Sequence, residues 1–191
     1  MSGKLVIFSA PSGAGKTTIV HEILRCKQSV FSFSVSATTR AKRPNEQHGQ
    51  DYYFLSIEEF EQRISDNAFL EWEMVYEGCY YGTLRSEVEL LLAEGKNVLL
   101  DVDVKGGINV KRQFNDQALA IFIKPPGIEA LRQRLLLRNT ETEETLNVRI
   151  SKAEEEMKYA PQFDKIIVND DLQTAIMEAE HTINTFLGLD A

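Results

Sequence analysis

Residues 10–17 read APSGAGKT, and this stretch decides the fold of the chain. It follows a short apolar run at residues 5–8 (LVIF), which is typical of a buried strand, and it precedes apolar residues at helical spacing within 19–24. A strand, a glycine-rich turn and the start of a helix form the context in which such a stretch binds phosphate. The sequence therefore predicts a site for a nucleoside triphosphate.

The residue types in this loop each have a physical reason. Gly13 and Gly15 allow successive backbone N–H groups to point at phosphate oxygens, and the N-terminus of the helix adds partial positive charge. Lys16 is expected to reach the β- and γ-phosphates, and the Thr17 hydroxyl to bind Mg²⁺. Ala10 stands where the usual pattern has its first glycine, and we expect its methyl group to be tolerated if its φ is negative. By itself the loop is compatible with ATPases, GTPases and kinases.

Composition narrows the class of protein. The chain has 191 residues, 43% of them hydrophobic, so we expect one domain with a substantial core. A net charge of −8 argues against general nucleic-acid binding, and no apolar run approaches the ~20 residues of a membrane span. The first strand begins at once, which leaves no room for a signal peptide, and Cys26 and Cys79 indicate neither a disulfide framework nor zinc. We therefore expect a cytoplasmic protein.

Periodicity along the chain predicts an α/β fold. Apolar strands are predicted at residues 5–8, 31–35, 97–104, 119–123 and 165–168. Helices with apolar stripes are predicted after the loop and at residues 84–92, 128–135, 146–157 and 172–186. Such alternation favours a parallel sheet covered on both faces, which is a three-layer core.

The region of residues 34–83 breaks this alternation. A polar loop is predicted at 37–51, a strand at 52–55, a helix opened by the capping box of residues 56–59, and a hairpin of strands 71–75 and 79–81. Consecutive short strands of this kind indicate a mixed or antiparallel lobe inserted into the core.

Charged residues in and after the insert suggest what lies opposite the loop. Arg40 and Arg43 stand close together, against the negative sign of the chain, and guanidinium groups suit a phosphate monoester. The carboxylate of Glu71 could accept both the N1–H and the 2-amino group of a guanine, a pair of donors that adenine lacks. Asp101 and Asp103 are predicted to share one side of the strand 97–104, at the end where α/β folds place ligands.

In these segments the chain resembles the guanylate kinases. The resemblance rests on the loop, on SVSATTRAKRP at 34–44, GQDY at 49–52, FLEW at 69–72 and YYGT at 80–83, and it covers nearly the whole length. It implies direct in-line transfer of the γ-phosphoryl group of ATP to GMP, and to dGMP, with Mg²⁺, in purine nucleotide recycling. Its domain plan implies a single domain over residues 1–191. The core would be residues 1–33, 84–125 and 159–191, the GMP-binding lobe 34–83 and a helical lid 126–158.

The resemblance also implies roles for particular residues. The GMP phosphate would be held by Arg40, Arg43, Tyr52 and Tyr81, and the guanine would be read by Ser36, Glu71, Thr83 and Asp103. Mg²⁺ would be bound by Thr17 and Asp101. ATP would be bound by Ala10, Pro11, Ser12, Gly13, Ala14, Gly15, Lys16, Thr17, Thr18, Arg134, Arg138 and Asn169. The catalytic charges would be those of Lys16, Arg40, Arg134, Arg138 and Arg149. One further departure is Asn139, where many members of the family have glycine.

Two alternatives stay open at this point. The chain could be another nucleoside-monophosphate kinase or a small-metabolite kinase on the same core, from which Glu71 and the insert would distinguish it. It could also be a non-catalytic guanylate kinase-like interaction module, although the intact loop argues against this. The expected partners are ATP, GMP, ADP and GDP, with no nucleic acid or membrane. The expected assembly is a monomer or a small homo-oligomer.

Overall fold

The computed structural model describes residues 2–136 and 143–189. The strands of this part of the chain are β1 (Leu5–Ser9), β2 (Phe31–Phe33), β3 (Ser36–Thr38), β4 (Tyr53–Phe54), β5 (Phe69–Tyr76), β6 (Cys79–Leu84), β7 (Asn97–Asp101), β8 (Ala118–Lys124) and β9 (Lys165–Val168). Its α-helices are α1 (Lys16–Cys26), α2 (Ile57–Ser65), α3 (Arg85–Ala93), α4 (Val104–Phe114), α5 (Ile128–Leu136), α6 (Glu143–Met157) and α7 (Leu172–Leu187).

A parallel sheet of five strands forms the centre, in the order β2-β7-β1-β8-β9. Strand β1 lies in its middle, and its side chains alternate between the two faces. Val6 and Phe8 pack in one cluster with residues of α1 and α7, whereas Leu5 and Ile7 pack in another with residues of α3 and α4. The predicted parallel α/β fold with helices on both faces is confirmed.

A second sheet follows in the insert, in the order β4-β3-β6-β5. β3 pairs in parallel with β4 and antiparallel with β6, and β5 and β6 form the predicted hairpin. Helix α2 begins with the predicted capping box, in which the Ser56 side chain accepts from the Glu59 N–H and the Glu59 side chain accepts from the Ser56 N–H. Its Phe60 ring is fully buried and stacks on Phe69 at 4.3 Å between ring centroids. The insert therefore has a small core of its own.

Helices α5 and α6 also pack around a separate apolar cluster. Leu131 and Leu135 of α5 contact Leu146, Ile150 and Ala153 of α6 in that cluster. Both helices agree with the predicted apolar stripes. Arg138 and Asn139, which the sequence places between them, lie outside the described residues. None of the helices in the described ranges is both long and apolar enough to cross a membrane.

Helix α4 was not predicted from the sequence. As a result, Asp103 was wrongly predicted to lie on the preceding strand. The strand predicted at 97–104 ends at Asp101, and Asp103 is the N-cap of α4. The side chain of Asp103 accepts hydrogen bonds from the N–H groups of Lys105 at 2.7 Å and Gly106 at 2.9 Å. The two aspartates therefore do not share one side of a strand. Two glycines in the first turn of α4 weaken the helical signal, because glycine has a low helix propensity.

One smaller expectation was also wrong. The polar segment predicted as a loop over 37–51 begins in β3, since residues 37 and 38 complete that strand by pairing with β6.

Candidate active site

The glycine-rich loop joins β1 to α1, and its conformation requires glycine at two positions. Gly13 and Gly15 have φ angles of 88° and 93°, in the left-handed region that side chains disfavour. The non-glycine residues with positive φ in the described ranges are Asn67 and Asn115. Ala10 is therefore outside that region, and its methyl group adds to the core without backbone strain.

Lys16, the first residue of α1, points from the loop toward the end of β7. Its ammonium group donates a hydrogen bond of 2.7 Å to the Val102 carbonyl and forms an ion pair with Asp101. The Lys16 side chain is only 18% exposed. These contacts hold a positive charge between the loop and the carboxyl edge of the sheet.

Asn169 follows β9 and closes the loop from the other side. The residue is 4% exposed, and its Nδ2 donates a hydrogen bond of 2.7 Å to the Ala14 carbonyl. A Cβ added at Gly15 would collide with this amide group. Arg134 of α5 donates to the Asn169 carbonyl at 2.8 Å, and its buried Nη1 has no hydrogen-bond partner within the described residues. The predicted contact of Asn169 with ATP stays a prediction.

A cavity of about 420 Å³ lies between the loop and the second sheet. The sequence-predicted residues that line it are Ala10, Pro11, Ser12, Gly13, Gly15, Lys16, Thr17, Thr18, Ser36, Tyr52, Glu71, Tyr81, Asp101 and Asp103. The other predicted residues within the described ranges, which do not line it, are Ala14, Arg40, Arg43, Thr83, Arg134, Arg149 and Asn169. The tertiary structure thus brings most of the predicted set to one cavity.

Glu71 of β5 faces this cavity and is held by Thr83 of β6. The Thr83 hydroxyl donates a hydrogen bond of 2.6 Å to Glu71 Oε1, and the two residues are cross-strand partners. Burial of the carboxyl group raises the pKa of Glu71 to about 7, against the lowering effect of the Thr83 hydrogen bond. The carboxylate of Asp103 adds to this rise. A Cβ added at Gly106 would lie 3.0 Å from Glu71 Oε2 and 3.1 Å from Asp103 Oδ2, so this glycine leaves room for both carboxyl groups.

Arg40 lies behind two tyrosines that line the cavity. Its Nε donates a hydrogen bond of 3.2 Å to the Tyr81 hydroxyl, and its guanidinium carbon lies 5.4 Å from the centroid of the Tyr52 ring. The Tyr52 and Tyr81 rings contact edge to face at 5.9 Å between centroids. Arg43 is exposed and does not line the cavity. The structure therefore brings Arg40, Tyr52 and Tyr81 together.

Three charged residues of the cavity were not singled out from the sequence. Lys152 of α6 lies 3.3 Å from Glu73 of β5 and 3.8 Å from Glu156 of α6, measured from its Nζ to a carboxylate oxygen. Two local signals could have found them. Glu73 shares a strand face with Glu71, and Lys152 and Glu156 stand four residues apart on one helix.

The sequence predicts two protein ligands for Mg²⁺, Thr17 and Asp101. No group of three or more His, Cys, Asp or Glu side chains suited to a metal ion occurs within residues 2–136 and 143–189. The Thr17 hydroxyl and the Asp101 carboxylate are nevertheless hard oxygen donors at the same cavity as the loop. They fit Mg²⁺, which usually keeps several waters and substrate phosphate oxygens and needs only one or two protein ligands.

A phosphate-binding loop at the carboxyl edge of a parallel sheet, facing a lobe with an arginine and a buried carboxylate, defines a nucleotide kinase. The guanylate kinase family model matches residues 2–186. The chain is 53% identical to the guanylate kinase of Bacteroides fragilis, over 98% of this chain and 91% of that protein. It is 52% identical to that of Porphyromonas gingivalis, over 96% of this chain and 98% of that protein.

The comparison with solved structures agrees. The crystal structure of guanylate kinase from Anaplasma phagocytophilum matches with a TM-score of 0.74 and 28% identity, over 97% of this chain and 87% of that chain. The chain belongs to the guanylate kinase family and is an enzyme of that type. The predicted family, fold and kind of enzyme are confirmed, and neither the family model nor these relatives favour the two alternatives.

Proposed function

We propose that this enzyme transfers the γ-phosphoryl group of ATP to GMP, and also to dGMP, and releases ADP and GDP. The observation that carries the proposal is the single cavity with the phosphate loop on one wall and Glu71, Tyr52 and Tyr81 on the other. Donor and acceptor phosphates bound to these two walls would face each other. Such an arrangement suits direct transfer, which depends on positioning the two reactants.

On the donor side, the loop N–H groups and Lys16 would hold the phosphates of ATP. Thr17 and Asp101 would hold Mg²⁺, which when bound neutralises phosphate charge. Lys16 now pairs with Asp101, so binding ATP would exchange this internal ion pair for contacts with the phosphates. Exchange of one charged partner for another keeps the cost of removing Lys16 from its present position small.

On the acceptor side, Glu71 would accept the N1–H and 2-amino groups of guanine. Thr83 orients the carboxylate through its hydrogen bond, and Asp103 and Ser36 would complete the contacts to the base. Adenine offers no such pair of donors, so the buried carboxylate would lack these two partners, which costs about 1–3 kcal/mol and more when the group is charged. This difference supports specificity for guanine.

No general base is required for the reaction. A phosphate monoester is already largely a dianion near neutral pH, since its second pKa is about 6. The problem is to hold two polyanions together, and cations solve it. Lys16 and Arg40 lie at or next to the cavity, and Arg134 lies against the loop side. Arg149 on α6 would add its charge on closure of the helical pair, as would Arg138, which lies outside the described residues.

The remaining expectations stay predictions. These are the division into core, lobe and lid, action on free nucleotides in the cytoplasm, a monomeric or small homo-oligomeric state, and no nucleic-acid or membrane partner. The net charge of −8 supports the exclusion of nucleic acid, because like charges repel.

The test is an assay of ADP release with Mg-ATP and a panel of GMP, dGMP, AMP, CMP, UMP and dTMP. We expect turnover with GMP and dGMP to exceed that with the other acceptors by at least about 100-fold, since a carboxylate selects a pair of donors. The Lys16→Met variant is the control for contaminating kinases. Equal turnover of AMP and GMP would refute the assigned specificity.

A further inference from the structure

A carboxylate that has no assigned role holds the arginine behind the cavity. Glu46, in the loop between β3 and β4, accepts two hydrogen bonds from the guanidinium of Arg40. Arg40 Nη1 lies 2.9 Å from Glu46 Oε2, and Arg40 Nη2 lies 2.7 Å from Glu46 Oε1. Both side chains are mostly enclosed, with 20% and 15% of their surface exposed. This bidentate geometry is the strongest form of arginine–carboxylate pairing.

The same carboxylate also fixes the backbone of the loop. Glu46 Oε2 accepts a hydrogen bond of 2.8 Å from the N–H of Arg43. The N–H of Glu46 donates a hydrogen bond of 3.1 Å to the Arg43 carbonyl, and Lys42 Nζ donates one of 3.0 Å to the Glu46 carbonyl. One oxygen atom thus joins the Arg40 side chain to the Arg43 main chain. Glu46 therefore contacts both arginines, the side chain of Arg40 and the main chain of Arg43.

The remaining hydrogen-bonding capacity of Arg40 is small and directed. A guanidinium has five N–H donors. The Tyr81 hydroxyl, the Ala41 carbonyl and the two oxygens of Glu46 use four of them, which leaves one N–H on Nη2. Since the Nε side is bonded to a tyrosine that lines the cavity, Arg40 is anchored at both ends of its planar group. Rotation of its side chain would break several hydrogen bonds at once.

We propose that Glu46 is a positioning residue of the acceptor site, which fixes Arg40 and the Arg43 backbone so that both guanidinium groups can face the phosphate of GMP. This inference rests on the proposed function. Glu46 acts through the arginines and does not line the cavity. Its hydrogen bonds from Arg40 and from the Arg43 backbone lower the pKa of Glu46 to about 2, so its charge persists at any pH at which the enzyme would be assayed.

A competing role for Glu46 makes the opposite prediction. A carboxylate that merely occupies the place of the GMP phosphate on Arg40 would have to leave when GMP binds, and its removal would strengthen GMP binding. The bond from the Arg43 main chain argues for the positioning role, because a placeholder for phosphate has no need to close the loop.

The experiment compares Glu46→Gln and Glu46→Asp with the wild type and with Glu94→Gln. Glu94 is a matched control because it also forms an ion pair, with Lys96 at 2.7 Å, but lies on the surface after α3. We expect the KM for GMP to rise about tenfold in Glu46→Gln, the loss expected for one charge-assisted pair. The KM for ATP should stay unchanged. Asp, which keeps the charge but is shorter, should restore part of the GMP affinity.

A double-mutant cycle with Arg40→Met tests whether Glu46 acts through Arg40. In the Arg40→Met background, we expect Glu46→Gln to change the KM for GMP less than twofold. A lower KM for GMP in Glu46→Gln, an equal loss for ATP, or full additivity in the cycle would each overturn the proposal. Should Glu46→Gln fail to fold, Glu46→Asp carries the same comparison. Failure of the wild type to use GMP would instead refute the proposed function.

Discussion

The Glu71→Gln variant separates what the buried carboxylate costs in stability from what it contributes to recognition. Gln has nearly the same shape and can still accept the Thr83 hydrogen bond through its carbonyl oxygen. Its other terminal atom is then an NH₂ donor, which meets the donors of guanine. The substitution therefore removes the charge and reverses one hydrogen bond while leaving the packing of β5 in place.

The expected change in the free energy of unfolding follows from the pKa of Glu71. Burial raises this pKa from its ordinary value of 4.5 to about 7. A raised carboxyl pKa means that the folded state favours the protonated form. The contribution of Glu71 to the stability of the folded state is therefore fully present below pH 4.5 and is lost as the pH rises through about 7. The full shift corresponds to about 3 kcal/mol. Although the carboxyl group is buried, the residue as a whole is partly exposed, and water there screens part of the cost, so we expect about 2 kcal/mol.

Urea unfolding without nucleotides at pH 5 and pH 8 measures this effect. We expect Glu71→Gln to be more stable than the wild type by about 2 kcal/mol at pH 8, and the difference to shrink toward pH 5. In the same variant, kcat/KM for GMP should fall roughly 100-fold, while the KM for ATP changes little. Glu89→Gln, on the exposed surface of α3, is the control for loss of a carboxylate.

Two results would refute this reasoning. A variant that is less stable than the wild type at pH 8 would show that the carboxylate is not penalised by burial. Equal losses for GMP and ATP would show that Glu71 supports the whole site and does not read the base.

Three further substitutions test the two walls of the cavity. Lys16→Met removes the charge at the loop and should lower kcat by at least about 100-fold with an unchanged circular dichroism spectrum, so retained activity would contradict the loop mechanism. Gly15→Ala places a methyl group at φ 93° against a buried amide and should cost about 1–3 kcal/mol in urea unfolding. Gly127→Ala, with no atom within 4 Å of the added methyl, is its control and should be nearly neutral. Thr83→Val removes the hydrogen bond to Glu71 and should raise the KM for GMP about tenfold but not the KM for ATP, and no change for GMP would refute that role.

Local patterns were sufficient for much of the fold. The glycine-rich loop, the capping box at Ser56 and the apolar stripes of α5 and α6 were predicted from residues within one or two turns of one another. Helix α4 was missed because Gly106 and Gly107 interrupt its pattern. Glycine is required at both positions by atoms that are distant in the sequence. A Cβ at Gly107 would collide with Ser9 Oγ, and one at Gly106 would crowd Glu71. Their reason is not present in the neighbouring sequence.

The active site also has one part that was predictable from the sequence and another part that depends on the tertiary structure. The sequence by itself determined a phosphate loop at Lys16 and, through the family resemblance, the residue types opposite it, because the spacing within each motif is local. Only the tertiary structure decided that Lys16 pairs with Asp101, that Lys152 lies beside Glu73, and that Glu46 holds Arg40. The first two of these pairs join residues far apart in the chain, and the third depends on the path of an irregular loop. Such contacts depend on how sheets, helices and loops pack together. Periodicity along the chain predicts individual elements and their faces but not this packing.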